Sequence, residues 1–241
     1  MKIALLTTDT LHHTYFFREL SRTYSIDTVI IEKLSSAPLF ETHHSYEDDR
    51  DSYERSVFFH GADISIHDVA DCLTVDAINC FKTVQCLSKT TPDVVIVFGT
   101  SKLGREIIDC CPRGIINLHG GDPEYYRGLD SHLWAIYHND FTGLITTLHR
   151  VNQDLDAGEI INQGAVPVFK GMGLHELRHH NTDICLMLVL SALDFFSRYG
   201  DFLSRPQRKQ GRYYSFMPSV LKEICVKKFR NYAEGIDELA R

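Results

Sequence analysis

The stretch PDVVIVFG (92–99) sets four consecutive branched apolar residues, Val94 to Val97, between a proline and a glycine. A run this short and this apolar fits a strand buried on both faces of a sheet, not one with a wet side. Working outward, KIALLTT (2–8) is a second run of the same kind and DTVIIE (27–32) a third. Between those two lies LHHTYFFRELSRTY (11–24), with apolar residues at helical spacing. Strand, helix, strand at this spacing predicts a right-handed βαβ unit opening a parallel sheet.

The alternation continues down the chain. A helical pattern covers 74–88, and Pro112 and Gly114 break the chain before INLHGG (116–121), a strand running into a loop. SHLWAIYHND (131–140) has helical periodicity, LITTLHRV (144–151) and EIINQGAVPV (159–168) are strands flanking the turn NQDLDAG, and a long helix over 173–199 follows. The whole is an α/β chain with a mostly parallel sheet flanked by helices. LSSAPLFETHHSYEDDRDSYERS (34–56) is dense in charge without strand character, and is expected to be a mobile insertion or irregular helix on the surface. RPQRKQGRYYSFMPSVLKEICVKKFR (205–230) gathers aromatics and cations in an otherwise acidic chain. It predicts a short hairpin around Gly211 and a helix from Pro218. The expected division is a main domain over 1–200 and a C-terminal appendage over 201–241.

At 241 residues and 44% hydrophobic, the chain can bury a sizeable core without disulfides or metals. Its 25 Lys+Arg against 32 Asp+Glu give a net charge of −7, the wrong sign for gripping a phosphate backbone, so nucleic acid is not an expected partner. Seven scattered cysteines with no C-x-x-C pair read as reduced thiols of a cytoplasmic protein. The apolar N-terminal run is too short for a secretory signal, and no stretch approaches the ~20 apolar residues of a membrane span. A soluble, cytoplasmic protein with no membrane partner is the expectation.

The first strand-to-helix junction, TTDTLHH, has no glycine, so it carries neither a dinucleotide fingerprint nor a phosphate loop. Asn117 and His119 are more informative. Two apart on a strand, they point to one side at the strand's end, where open α/β sheets place ligands. Asp156 sits in the turn DLDAG before the next strand. An amide donor, an imidazole and a carboxylate near strand ends suit stabilising an oxyanion and moving a proton. Residues of these types near turns also commonly satisfy backbone groups and nothing more.

The segment from Asn117 to Val168 resembles the catalytic core of the 10-formyltetrahydrofolate-dependent formyltransferases. Asn117 and His119 match that family's Asn-x-His motif. Pro123, Tyr126, Arg127 and Gly128 match a loop with a proline and then Tyr-Arg-Gly, and Asp156, Gly158, Ile160, Ile161 and Gln163 match its Asp-x-Gly-x-Ile-Ile-x-Gln pattern. The resemblance implies a Rossmann-like fold and direct formyl transfer from 10-formyltetrahydrofolate, without a metal. Asn117 and protonated His119 would stabilise the oxyanion, and Asp156 would orient the histidine and help move the proton. Backbone groups of Phe98, Gly99, Thr100, Ser101, Lys102 and Leu103, and of Val151, Asp154 and Leu155, would hold the pterin. Leu103 either packs on the ring or is plain core. Where the family usually has Pro-Ser after the histidine, this chain has Gly120 and Gly121, which would make the loop more permissive and reshape the acceptor pocket.

The resemblance also bears on the acceptor. Methionyl-tRNA formyltransferases carry an extra domain and a basic surface, and glycinamide ribonucleotide enzymes a glycine-rich loop after the first strand. The opening Leu11-His12-His13-Thr14-Tyr15-Phe16 and the Tyr-Arg-Gly block followed by Trp134 instead resemble the nucleotide-sugar N-formyltransferases. That implies a homodimer acting on a nucleotide-linked amino sugar for bacterial surface polysaccharide of the O-antigen or lipopolysaccharide type. His12, His13, Gly120, Gly121, Pro123, Tyr126, Arg127, Gly128, Tyr213 and Tyr214 would contact the acceptor. Another small amine such as glycinamide ribonucleotide, a formyltetrahydrofolate hydrolase and a non-catalytic folate or sugar-nucleotide binding module are the alternatives. The tail residues Arg212, Tyr213, Tyr214 and Phe216 suit either packing and dimer contact or nucleotide stacking.

Overall fold

The computed structural model describes residues 1–33, 38–111 and 114–236; Pro112, read above as a chain break, lies outside them. Five strands run parallel: β1 (Ile3–Thr7), β2 (Thr28–Glu32), β3 (Leu73–Val75), β4 (Val94–Phe98) and β5 (Ile115–His119). Two more, β7 (Ile145–Arg150) and β8 (Ile160–Ala165), add on antiparallel beyond β5. The order is β3-β2-β1-β4-β5-β7-β8. The chain leaves β1 toward β2 on one side while β4 lies on the other, so the carboxyl ends of β1 and β4 flank a switch point where such sheets open a crevice.

Period-two alternation in the strands feeds two cores. Ile3, Leu5, Ile96 and Leu118 pack on α1 (Leu11–Ser21) and α6 (Leu177–Tyr199) through Phe16, Leu20, Leu188 and Val189. Ala4, Leu6, Val95 and Val97 face α3 (Phe81–Thr90) and α4 (Arg105–Cys110) through Leu87 and Ile107. Each fully buried Leu, Ile or Phe contributes about 1.5–3 kcal/mol of transfer free energy. A third core joins α5 (Ser131–Tyr137) and α7 (Ser219–Glu234) through Ile136, Met217, Cys225 and Phe229.

Three expectations are corrected. Within 34–56, the described part holds a regular helix, α2 (Ser45–Phe59), in place of an irregular surface insertion. Its N-cap is His44, whose Nδ1 accepts from the Tyr46 amide while Glu47 accepts from the His44 amide; a histidine cap carries little sequence signal. The 74–88 pattern splits into the edge strand β3 and, from Phe81, α3. Between them the Ile78 amide donates to the buried Glu32 carboxylate at 2.8 Å, which takes the chain off a helical path. No hairpin forms around Gly211. Its amide donates to the Pro123 carbonyl, and β9 (Arg212–Tyr214) pairs in parallel with β6 (Tyr126–Gly128), a distant segment, where a hairpin would pair antiparallel with its neighbour.

Candidate active site

A cavity of about 1140 Å³ opens over the carboxyl ends of β1, β4 and β5. Asn117, His119 and Asp156 all line it. Pockets for single small molecules run to roughly 300–1,000 Å³, so this one lies just above the top of that range.

His119 is buried, and its Nε2–H donates to the Tyr126 carbonyl at 2.8 Å. Its Nδ1 lies 3.8 Å from Asp156 Oδ2. Asp156 holds a left-handed backbone with φ of 50°, a conformation aspartate adopts more readily than most residues. Burial pushes its carboxyl up, but the imidazoles of His119 and His149 and the Gly128 amide, 2.8 Å away, outweigh burial and hold it well below the usual carboxylate range.

His149 was absent from the sequence expectations, yet it joins the other three. It stands opposite Asn117 in the β5–β7 register. The Asn117 Nδ2 lies 3.1 Å from its Nε2, and Asp156 Oδ1 is 3.6 Å from that same nitrogen. The Nδ1–H donates to the Arg150 carbonyl at 2.8 Å, and Nε2 faces both the Asn117 amide and the Asp156 carboxylate. The available signal was the register across two strands, which a motif search does not read.

The other expected residues divide. His12, His13, Phe98 to Leu103, Gly120, Gly128, Val151, Asp154 and Leu155 line the cavity. Leu103 does so while also belonging to the core beneath α3 and α4. Gly121, Pro123, Tyr126, Arg127, Tyr213 and Tyr214 are not among the lining residues. Arg127 instead donates to the Leu155 carbonyl, and Gln207 donates to the carbonyls of Asp156 and Gly158, so both strap the aspartate's turn. Tyr126 contributes its carbonyl to His119 and packs its ring on Tyr214, which also stacks on Trp134 at 5.0 Å. Tyr213 is 55% exposed, with its ring against Gly128. Phe216 is the tail aromatic that reaches the cavity.

Neither glycine of the Gly120-Gly121 pair has a positive φ, and Gly121 is the one required by close packing. A Cβ on Gly121 would lie 2.8 Å from His119 Nε2 and 2.7 Å from Ser131 Cβ, whereas one on Gly120 would meet His132 at an ordinary 3.5 Å. Gln163 donates to Thr147, and Thr147 to the Gly121 carbonyl, which fastens this loop. Gly121→Ala is expected to reduce turnover by at least tenfold, and Gly120→Ala to leave it within about twofold, because a ~1 Å displacement at the chemistry already costs about 10²-fold. Steady-state rates of the two variants decide it; equal rates would remove the packing argument.

Burial and the Arg178 charge lower His13 to about 3, and burial, opposed by the Ile145 carbonyl and reinforced by His119, lowers His132 to about 4. Between those values and 6.5 the unfolded chain binds protons at these positions that the folded chain does not. Stability is therefore expected to fall as pH drops below 6.5, with a slope approaching about 1.4 kcal/mol per pH unit for each histidine. Urea midpoints at pH 7, 6 and 5 measure it; a flat profile would show these rings charged in the folded state.

Residues 79–185 match the family model described as formyl transferase. The chain is 28% identical over 152 residues to a methionyl-tRNA formyltransferase of Porphyromonas gingivalis, a match covering 62% of this chain and 46% of that protein. It thus spans about half the length of the curated relatives it matches. A sugar N-formyltransferase from a Shewanella species superposes with a TM-score of 0.62 at 14% identity, over 95% of this chain and 88% of that one. The formyltransferase PseJ from Anoxybacillus kamchatkensis, solved with UDP-4,6-dideoxy-4-formamido-L-AltNAc and tetrahydrofolate, gives 0.58 at 18% identity, over 97% and 100%. The chain has the α/β Rossmann-like formyltransferase fold.

Proposed function

We propose that this formyltransferase-fold chain transfers the formyl group of 10-formyltetrahydrofolate to the amine of a nucleotide-linked amino sugar. The observation that carries it is the convergence of Asn117, His119 and Asp156 in one cavity at the switch point of the sheet. The neutral amine attacks the formyl carbon, a C–N bond forms, the bond from that carbon to the folate nitrogen breaks, and one proton passes from the amine to the leaving nitrogen. Asn117 supplies an amide N–H to the oxygen as it gains charge, and protonated His119 its Nδ1–H, the Nε2–H being taken by the Tyr126 carbonyl. Asp156, 3.8 Å from the His119 Nδ1, positions that ring, and His149 stands against the Asn117 amide. The 98–103 loop and the 151–155 turn carry the backbone groups proposed to hold the pterin.

The solved sugar N-formyltransferases support the acceptor class at the level of fold. Seven free thiols support a reducing, cytoplasmic setting, and surface-polysaccharide synthesis by a homodimer completes the proposal. Mixing the protein with 10-formyltetrahydrofolate and a panel of dTDP-, UDP- and GDP-linked amino sugars tests it. Folate release only with an amine means transfer; release without one means hydrolysis, and no release means binding alone.

A further inference from the structure

The cavity has a second wall that formyl chemistry does not use, made by α2 and the first turn of α6. Arg178 donates through Nε and Nη2 to Glu54 at 2.6 and 2.5 Å, and through Nη2 to Asp51 at 3.0 Å. Arg50 donates through Nε to Asp51 and through Nη1 to Glu47, which also takes the buried Lys222 ammonium at 3.0 Å. Glu54 is fully buried. Three carboxylates are matched by three cations, so the cluster shows the cavity no net negative charge.

These bonds leave one nitrogen on each guanidinium, Nη2 of Arg50 and Nη1 of Arg178, with no protein acceptor among the described residues. Neither nitrogen is buried without a partner, and both residues line the cavity. The carboxylate pairs have already fixed both side chains, so less rotamer freedom is lost when they take a further acceptor. His12 lines the same cavity, and burial, then His13, Arg178 and Arg50, keep its ring neutral. A neutral imidazole there neither neutralises an incoming anion's charge nor repels it.

We propose that Arg50 and Arg178 grip the pyrophosphate of the acceptor, and so select a nucleotide-linked amine over a free amino sugar. The assignment rests on the transfer reading above and deepens it. Two open donors on separate helices suit an anion with oxygens on two centres, and guanidinium–phosphate pairs are charge-assisted.

Inorganic pyrophosphate is the probe, because it carries the anion without base or sugar. Thermal unfolding of the full chain is followed with pyrophosphate, with inorganic phosphate and with tetrahydrofolate, for wild type, Arg50→Gln and Arg178→Lys. Pyrophosphate is expected to raise the wild-type midpoint, less so at high salt, and its affinity to fall roughly 10- to 100-fold in each variant, the scale for one lost charged hydrogen bond. Tetrahydrofolate should protect all three proteins equally, which also shows that the variants fold. Undiminished pyrophosphate protection in both variants overturns the assignment, as does no protection of the wild type at millimolar pyrophosphate. Equal protection by phosphate overturns the two-centre grip. Failure of tetrahydrofolate to protect the wild type would instead count against the transfer reading itself.

Discussion

Asp156→Asn is expected to fold normally, bind tetrahydrofolate, and lose formyl transfer by a factor of about 10³–10⁴, the scale seen when an amide replaces the carboxylate that orients a catalytic histidine. The amide keeps what the fold needs. Asparagine tolerates the left-handed backbone at this position, and its oxygen can still accept from the Gly128 amide. It cannot supply the negative charge that stands 3.8 Å from His119 and 3.6 Å from His149. Single-turnover rates beside tetrahydrofolate titration make the test. A matched fall in folate affinity and rate would place Asp156 in binding, and near-normal turnover would remove it from the mechanism.

Gly158→Ala is expected to be the most damaging small substitution near the site. A Cβ there would lie 1.6 Å from the Arg150 carbonyl oxygen and 2.6 Å from its carbon, so backbone would have to move. Ordinary overpacking costs about 1–3 kcal/mol, and an overlap with main chain belongs at or above the top of that range. The displaced strand end carries His149 next to Arg150, and the displaced turn carries Asp156, so transfer should be lost with stability. A urea midpoint indistinguishable from wild type would show that the turn can relax.

What the sequence reveals and what it hides divide along physical lines. Val94 to Val97 and Ile3 to Leu6 announce their strands because burial on both faces leaves an unbroken apolar run. Asn117, His119 and Asp156 stand at a strand end and a turn, positions readable in the sequence, and they meet at one cavity. The α2 helix is hidden because its charges look like those of a solvated surface, while Glu54 is spent inward on Arg178 from a distant helix. His149 is hidden because its role comes from standing opposite Asn117. Tyr213 and Tyr214 show their aromatic character in sequence, but three-residue strands such as β6 and β9 form only through a partner far along the chain.

That last pairing sets an order in time. β6 carries the Gly128 amide that holds the Asp156 carboxylate, and β9 is the strand that completes β6. β9 is synthesised after every strand of the main sheet. As the polypeptide emerges during synthesis, the sheet and the Asn-x-His strand can therefore assemble well before the aspartate is clamped. A chain halted before β9 would hold the main sheet while leaving β6, and with it the Gly128 amide, without its partner strand.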